Sequence, residues 1–312
     1  MRNIKHTIMK KYLFIIFFFF TAILNSFGQD NIKAMFEKSW ATDDTSEKRI
    51  LRENIIKLSP DSEYGLFCKA WILSTWNNFL SAEEFYSKAI NKKNNFWQAY
   101  FNRGTMNLNL QKYKEALSDF KKSIELNPND AEAYGYLGIS NYYLSDYEEA
   151  ISNCTKSIEI NPNNADTYNY RGVSYSANEK YNEAISDYTK AISINPVFVD
   201  AYNNRGITYC ELHKYEEAMS DYDKAIFLYP NYFKAYNNRG QLYLEFKKYD
   251  EAISDFTQTI FINPNDAIAY CYRGLAYREK GDCYKAKSDW EKAIEFNPNN
   301  ISELQRYINE CK

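Results

Sequence analysis

Arginine recurs at Arg103, Arg171, Arg205, Arg239 and Arg273, each a multiple of 34 residues from the last. Guanidinium forks in one register could grip carboxylates or phosphates two-pronged. Beside them run asparagines, with Asn169, Asn203 and Asn237 in one column and Asn102, Asn204 and Asn238 in the next. An amide side chain carries both a donor and an acceptor. A row of amides can therefore pair with a peptide backbone whatever its sequence.

The arginines have companions. Asp119, Asp187, Asp221, Asp255 and Asp289 each follow an arginine by 16 residues. Where Leu137 takes the arginine's place, Asn153 takes the aspartate's; where Lys69 does, Phe85 does. The two residues come and go together within one chain. In an antiparallel hairpin they would lie opposite each other, so the pattern predicts structural pairs, Arg205 with Asp221 for example. The alternative is a ladder for an external anion. The asparagines remain as groove candidates against the plainer reading of a solvated face. Asparagine is a poor helix former, so its recurrence inside helices favours a role.

Catalysis finds little footing. Beyond the N-terminal segment the only histidine is His213, in the turn "ELHKY". There is no H-E-x-x-H, no G-x-x-x-x-G-K-[ST] and no G-x-S-x-G. The carboxylates of "KYEEAMSDYDKAI" sit at i,i+3 and i,i+4 from lysines, which is surface charge. No ligand cluster suggests a metal. The expectation is a non-enzyme without cofactors.

The same 34-residue step governs the elements that carry these side chains. Pro128, Pro162, Pro196, Pro230, Pro264 and Pro298 keep it, as do Gly104 to Gly274 and Ala82 to Ala286. In the unit "WQAYFNRGTMNLNLQKYKEALSDFKKSIELNPND" two apolar faces at helical spacing flank a short "QK" turn. The "NPND" end stops the second helix and can cap the next. Each unit is a helical hairpin. The small columns let paired helices approach, and aromatic columns such as Phe120, Tyr188, Tyr222, Phe256 and Trp290 fill the space around them.

Tyr202, Arg205, Gly206, Tyr209, Ala218, Tyr222 and Pro230, repeated from Tyr236 to Pro264, resemble the tetratricopeptide repeat (TPR) pattern, with arginine where that pattern has leucine. The resemblance implies an all-α fold, a right-handed superhelical solenoid of TPR helical hairpins whose first helices line a concave groove for peptides or proteins. It covers seven units: 63–96, 97–130, 131–164, 165–198, 199–232, 233–266 and 267–300. A degenerate leading hairpin is expected over 29–62. A capping helix is expected over 301–312, where Ile308 stands in place of a glycine. The lysines of the chaperone-binding carboxylate clamp have no match in the Asn203 column.

Residues 1–28 read differently. Arg2, Lys5, Lys10 and Lys11 precede the uncharged run Tyr12–Leu24, and Ser26 and Gly28 are placed as at a signal-peptidase site. The expectation is a signal peptide cleaved after Gly28, an uncleaved membrane anchor being the alternative. Its removal leaves 34 basic against 41 acidic residues, a net charge of −7. That balance argues against nucleic acid as a partner. Six cysteines at unrelated repeat positions predict few or no disulfides. The sequence thus reads as an exported scaffold, periplasmic or envelope-associated, binding a protein or peptide. The rival readings are a receptor for a small polar envelope ligand and a permanent subunit of an envelope assembly.

Overall fold

A computed structural model describes residues 28–297 and 301–311. The expected signal segment, apart from Gly28, lies outside the described residues. Every regular element among them is a helix. The chain divides into two compact units, one ending at Leu144 and the other starting at Ser145.

The first unit holds α1 (28–41), α2 (Thr45–Leu58), α3 (Glu63–Thr75), α4 (Phe79–Lys92), α5 (Trp97–Asn109), α6 (Tyr113–Leu126) and α7 (Ala131–Tyr143). Its core is aromatic. Phe36 of α1 meets Phe67 of α3 edge-on at 5.0 Å and Phe96 at 5.3 Å. The buried Arg52 of α2 lies 4.3 Å over the ring of Trp71 and donates to Ser39 Oγ at 3.4 Å. This leading pair of helices is joined to the array by apolar and cation–π contacts, and among the described residues no carboxylate pairs with the buried Arg52.

The second unit holds α8 (Tyr147–Ile160), α9 (Ala165–Ala177), α10 (Tyr181–Ile194), α11 (Val199–Glu211), α12 (Tyr215–Leu228), α13 (Phe233–Glu245), α14 (Tyr249–Ile262), α15 (Ala267–Glu279), α16 (Cys283–Phe296) and α17 (Ile301–Glu310). The chain's punctuation sets these bounds. Asn195, held extended before Pro196 at φ −126° and ψ 92°, ends α10. Asn164 and Asp266 cap α9 and α15 by accepting from the Thr167 and Ala269 amides at 3.2 and 2.9 Å. Inside the hairpins the turn residue takes a left-handed backbone, as at Glu179, His213, Lys247 and Gly281. His213 does so at φ 56°, with its ring exposed and hydrogen-bonded to the Tyr215 hydroxyl at 2.7 Å.

In the hairpins of Gly104, Gly172, Gly206, Gly240 and Gly274 the glycine on the first helix faces the aromatic residue 16 positions on. A Cβ at Gly206 would come within 2.7 Å of the Tyr222 ring. That ring is almost fully buried and cannot swing aside. Gly206→Ala is therefore expected to destabilise the protein by about 1–3 kcal/mol, as overpacking does. The urea midpoint measures it, and an unchanged midpoint would contradict this packing.

The array ends in α17. Leu304 is buried against α16, and Tyr307 lies 5.5 Å from the ring of Trp290. The cysteines refine the sequence reading, because one disulfide forms. Cys283 at the start of α16 bonds Cys311 just past α17, with Cα atoms 5.5 Å apart. Cys311 lies beyond the last repeat, where register says nothing about its neighbours. Cys68 and Cys154 are buried free thiols, each pushed up to about 12 by burial, so neither is a thiolate nucleophile near neutral pH.

Candidate functional site

The arginines turn inward. Arg103, Arg171, Arg205, Arg239 and Arg273 each grip the aspartate of their own hairpin two-pronged. The partners are Asp119, Asp187, Asp221, Asp255 and Asp289, at 2.6–2.9 Å. The aspartates are buried. For Arg205 the bond to Asp221 holds the guanidinium charged even more firmly than usual. The planes of these arginines also lie near tyrosines one turn away on their own helix, as Arg205 does beside Tyr202 at 5.7 Å.

Each arginine has a third contact that sequence reasoning missed. The remaining nitrogen reaches the second helix of the preceding hairpin, 16 residues back. Arg103 donates to Ser87, Arg171 to Thr155, Arg205 to Thr189 and Arg273 to Thr257, at 2.9–3.0 Å. Arg239 finds a carboxylate, Asp223, at 2.5 Å. The arginine is thus a brace between hairpins as well as within one.

The asparagine columns separate. Asn169, Asn203 and Asn237 are buried between neighbouring first helices, which departs from the expectation that they line an open groove. One residue of helix turns a side chain by about 100°, and that step decides which column stays open. Asn204 and Asn238 are half-buried on the open side. Asn204 donates to Asn169 at 3.1 Å, and Asn238 to Asn203 at 2.8 Å. Asn102, half-buried on α5, donates to the Gln98 carbonyl at 2.7 Å. The run breaks after Asn237, because the next position in the series is Tyr272. The Asn237 side-chain oxygen has no hydrogen-bond partner, and Tyr272 stacks on Phe256 at 5.8 Å instead.

The open stripe of the second unit therefore reads Tyr170, Asn204, Asn238 and Tyr272, with Val173, Ile207, Gln241 and Leu275 one turn on. Tyr170 and Ile207 are exposed and the others half-buried. Sequence reasoning missed the aliphatic members, Val173, Ile207 and Leu275. Their only signal was a position three residues after the asparagine column. At the end of this stripe a cavity of about 390 Å³ opens between α13, α15, α16 and α17. Among the described residues no cluster of histidine, cysteine and carboxylate side chains could hold a metal.

Five successive stretches, 97–130, 131–164, 165–198, 199–232 and 233–266, match one family model of the tetratricopeptide repeat, and 267–300 matches a second. The chain belongs to the tetratricopeptide repeat family. Solved TPR structures share its fold. A tetratricopeptide repeat protein from Parabacteroides merdae aligns with TM-score 0.64 at 20% identity over 79% of this chain and 97% of its own. The APC/C hetero-tetramer Cut9–Hcn1 aligns with TM-score 0.63 at 17% identity, covering 89% and 63%. Pseudomonas aeruginosa pilF aligns with TM-score 0.60 at 18% identity, covering 69% and 97%. At these identities the likeness is one of fold. No curated protein matches. TPR proteins mediate protein–protein interaction, and the fold is generally non-enzymatic.

Proposed function

We propose that this TPR protein is an exported, non-enzymatic scaffold that binds a protein or peptide segment on the face made by its first helices. The observation that carries the reading is the mixed stripe of the second unit. Asn204 and Asn238 stand in register on α11 and α13, and each spends one N–H on the neighbouring helix. An amide has a second N–H and an oxygen, suited to a peptide backbone. Ile207, Leu275, Tyr170 and Tyr272 between and beside them suit alternate side chains of an extended chain.

Export is supported by the basic, then apolar, then small-residue order of residues 1–28. The Cys283–Cys311 bridge supports it too, since structural disulfides persist in oxidising compartments. No helix among the described residues is long and apolar enough to cross a membrane.

The test is affinity capture from the native envelope fraction, with the N-terminus of the purified protein sequenced. The expected result is a protein partner bound by the wild type and lost with Ile207→Glu/Asn238→Glu, and an N-terminus after residue 28. A tight small-molecule ligand with no protein partner would overturn the scaffold reading. An N-terminus at Met1 would overturn cleavage.

A further inference from the structure

The cavity at the end of the array is lined by Gln241, Cys271, Tyr272, Leu275, Glu303 and Leu304, among others. At about 390 Å³ it lies near the small end of ligand-sized pockets, room for one large side chain and its flank. Its apolar walls are fixed. Tyr272 is held by its stack on Phe256, and Leu304 is buried against α16. The thiol of Cys271 is neutral, because burial, with the charge of Glu303 adding to it, pushes it up to about 11.

The charge is one-sided. Among the described residues Glu303 is the only carboxylate of the lining, and no lysine or arginine lines the cavity. Glu303 is exposed and accepts from the Tyr307 hydroxyl at 2.8 Å. Among the described residues no ion pair joins it to a cation. Two arginines lie 5.2 Å from the Tyr307 ring, but each is engaged elsewhere. Arg278 pairs with Glu279 at 2.9 Å, and Arg306 with Glu310 at 3.7 Å. An oriented carboxylate with no ion-pair partner among the described residues, beside the apolar wall made by Leu275, Leu304 and the Tyr272 ring, is complementary to a cation carried next to an apolar group.

We infer that this cavity is a docking pocket for an apolar side chain of a bound protein segment whose neighbouring group is cationic, with Glu303 as counter-ion. The inference rests on the scaffold reading, and it places the specificity of the face at its C-terminal end. The break in the asparagine series at Tyr272 falls here, where recognition changes from main chain to side chain.

The probe is 2-phenylethylamine, which carries a ring and an ammonium group, with 3-phenylpropionate as the anionic counterpart. Both are titrated into the oxidised, isotope-labelled full-length protein and followed by NMR. The amine is expected to bind with a dissociation constant on the order of millimolar, as suits a fragment of its size. It should shift resonances of Tyr272, Leu275 and Leu304, and the propionate should shift none of them. Glu303→Gln, a surface change that leaves the core untouched, is expected to weaken the amine about threefold. Failure of the amine to perturb these residues, or equal binding of both probes, overturns the pocket. A second arm separates the possible sources of the cation. A partner captured by wild type should be competed off by the amine and retained less well by Glu303→Gln. If the amine binds while the captured partner ignores both, the pocket serves a free small amine and the docking role is overturned. If wild type captures no protein, the scaffold reading has failed, and the docking role that rests on it fails too.

Discussion

Replacing Arg239 with alanine is expected to cost about 3–5 kcal/mol, the range for stripping one partner from a buried ion pair. Arg239 makes two bonds to Asp255, both at 2.8 Å, and one to Asp223. Asp255 is buried and loses its counter-ion in the variant, whereas Asp223 is exposed and rehydrates. The deficit should depend on pH with a definite sign. Burial already pushes the Asp255 carboxyl above its ordinary value while Arg239 opposes the shift. Without Arg239 the folded chain holds that proton more tightly than the unfolded chain. Stability is then lost as pH rises through the raised value and regained as pH falls below it. Urea titrations of wild type and variant across the acid range measure this. The double change Arg239→Met/Asp255→Leu, which buries no lone charge, should recover most of the loss. If Arg239→Ala melts like wild type yet abolishes partner capture, the arginines are a binding ladder and the structural account fails.

Opening the Cys283–Cys311 bridge should have the next largest effect. The bridge spans 28 residues of sequence, and closing a loop of that size restricts the unfolded chain by about 3–4 kcal/mol on the chain-entropy model. The loss should be local, because repeat arrays are held together by contacts between neighbours. Hydrogen exchange is expected to rise in α17 and the end of α16 on reduction, or in Cys311→Ser, and to stay unchanged in α9 and α10. Trp290 fluorescence reports the same event, since the indole packs against Tyr307 and donates to the Cys271 carbonyl at 3.1 Å. Equal protection of α17 in the oxidised and reduced protein would sink this prediction.

How much of this was legible beforehand depends on whether a feature repeats. The hairpins were readable because glycine, alanine and proline recur at one step, each for a steric reason. Arginine and aspartate pointed to each other because residues that need one another vanish together, as at Leu137 and Asn153. The third arginine contact was not readable. Its acceptors are Ser87, Thr155, Thr189, Asp223 and Thr257, a mixed set of short polar residues that looks like ordinary helix surface. Asn203 and Asn204 could not be ranked either. Adjacent residues on a helix differ only by a rotation, and the docking of the next hairpin decides which is covered. The disulfide and the pocket depend on α17, which has no second copy in the chain to compare.

The arginine and asparagine bonds share a direction. Arg205 reaches back to Thr189, Arg239 to Asp223 and Arg273 to Thr257, while Asn204 and Asn238 donate back to Asn169 and Asn203. In each of these five bonds the acceptor comes earlier in the chain; Asn237, which donates forward to Asp266 at 3.4 Å, is the exception among the columns. A polypeptide emerging from its N-terminal end therefore presents each new hairpin with acceptors already in place, and the new arginine then waits only 16 residues for its own aspartate. Trimming hairpins from the C-terminal end strands none of these arginines, whereas removing the hairpin before Arg205, Arg239 or Arg273 takes away the acceptor of that arginine. The array has an order of assembly written into its hydrogen bonds.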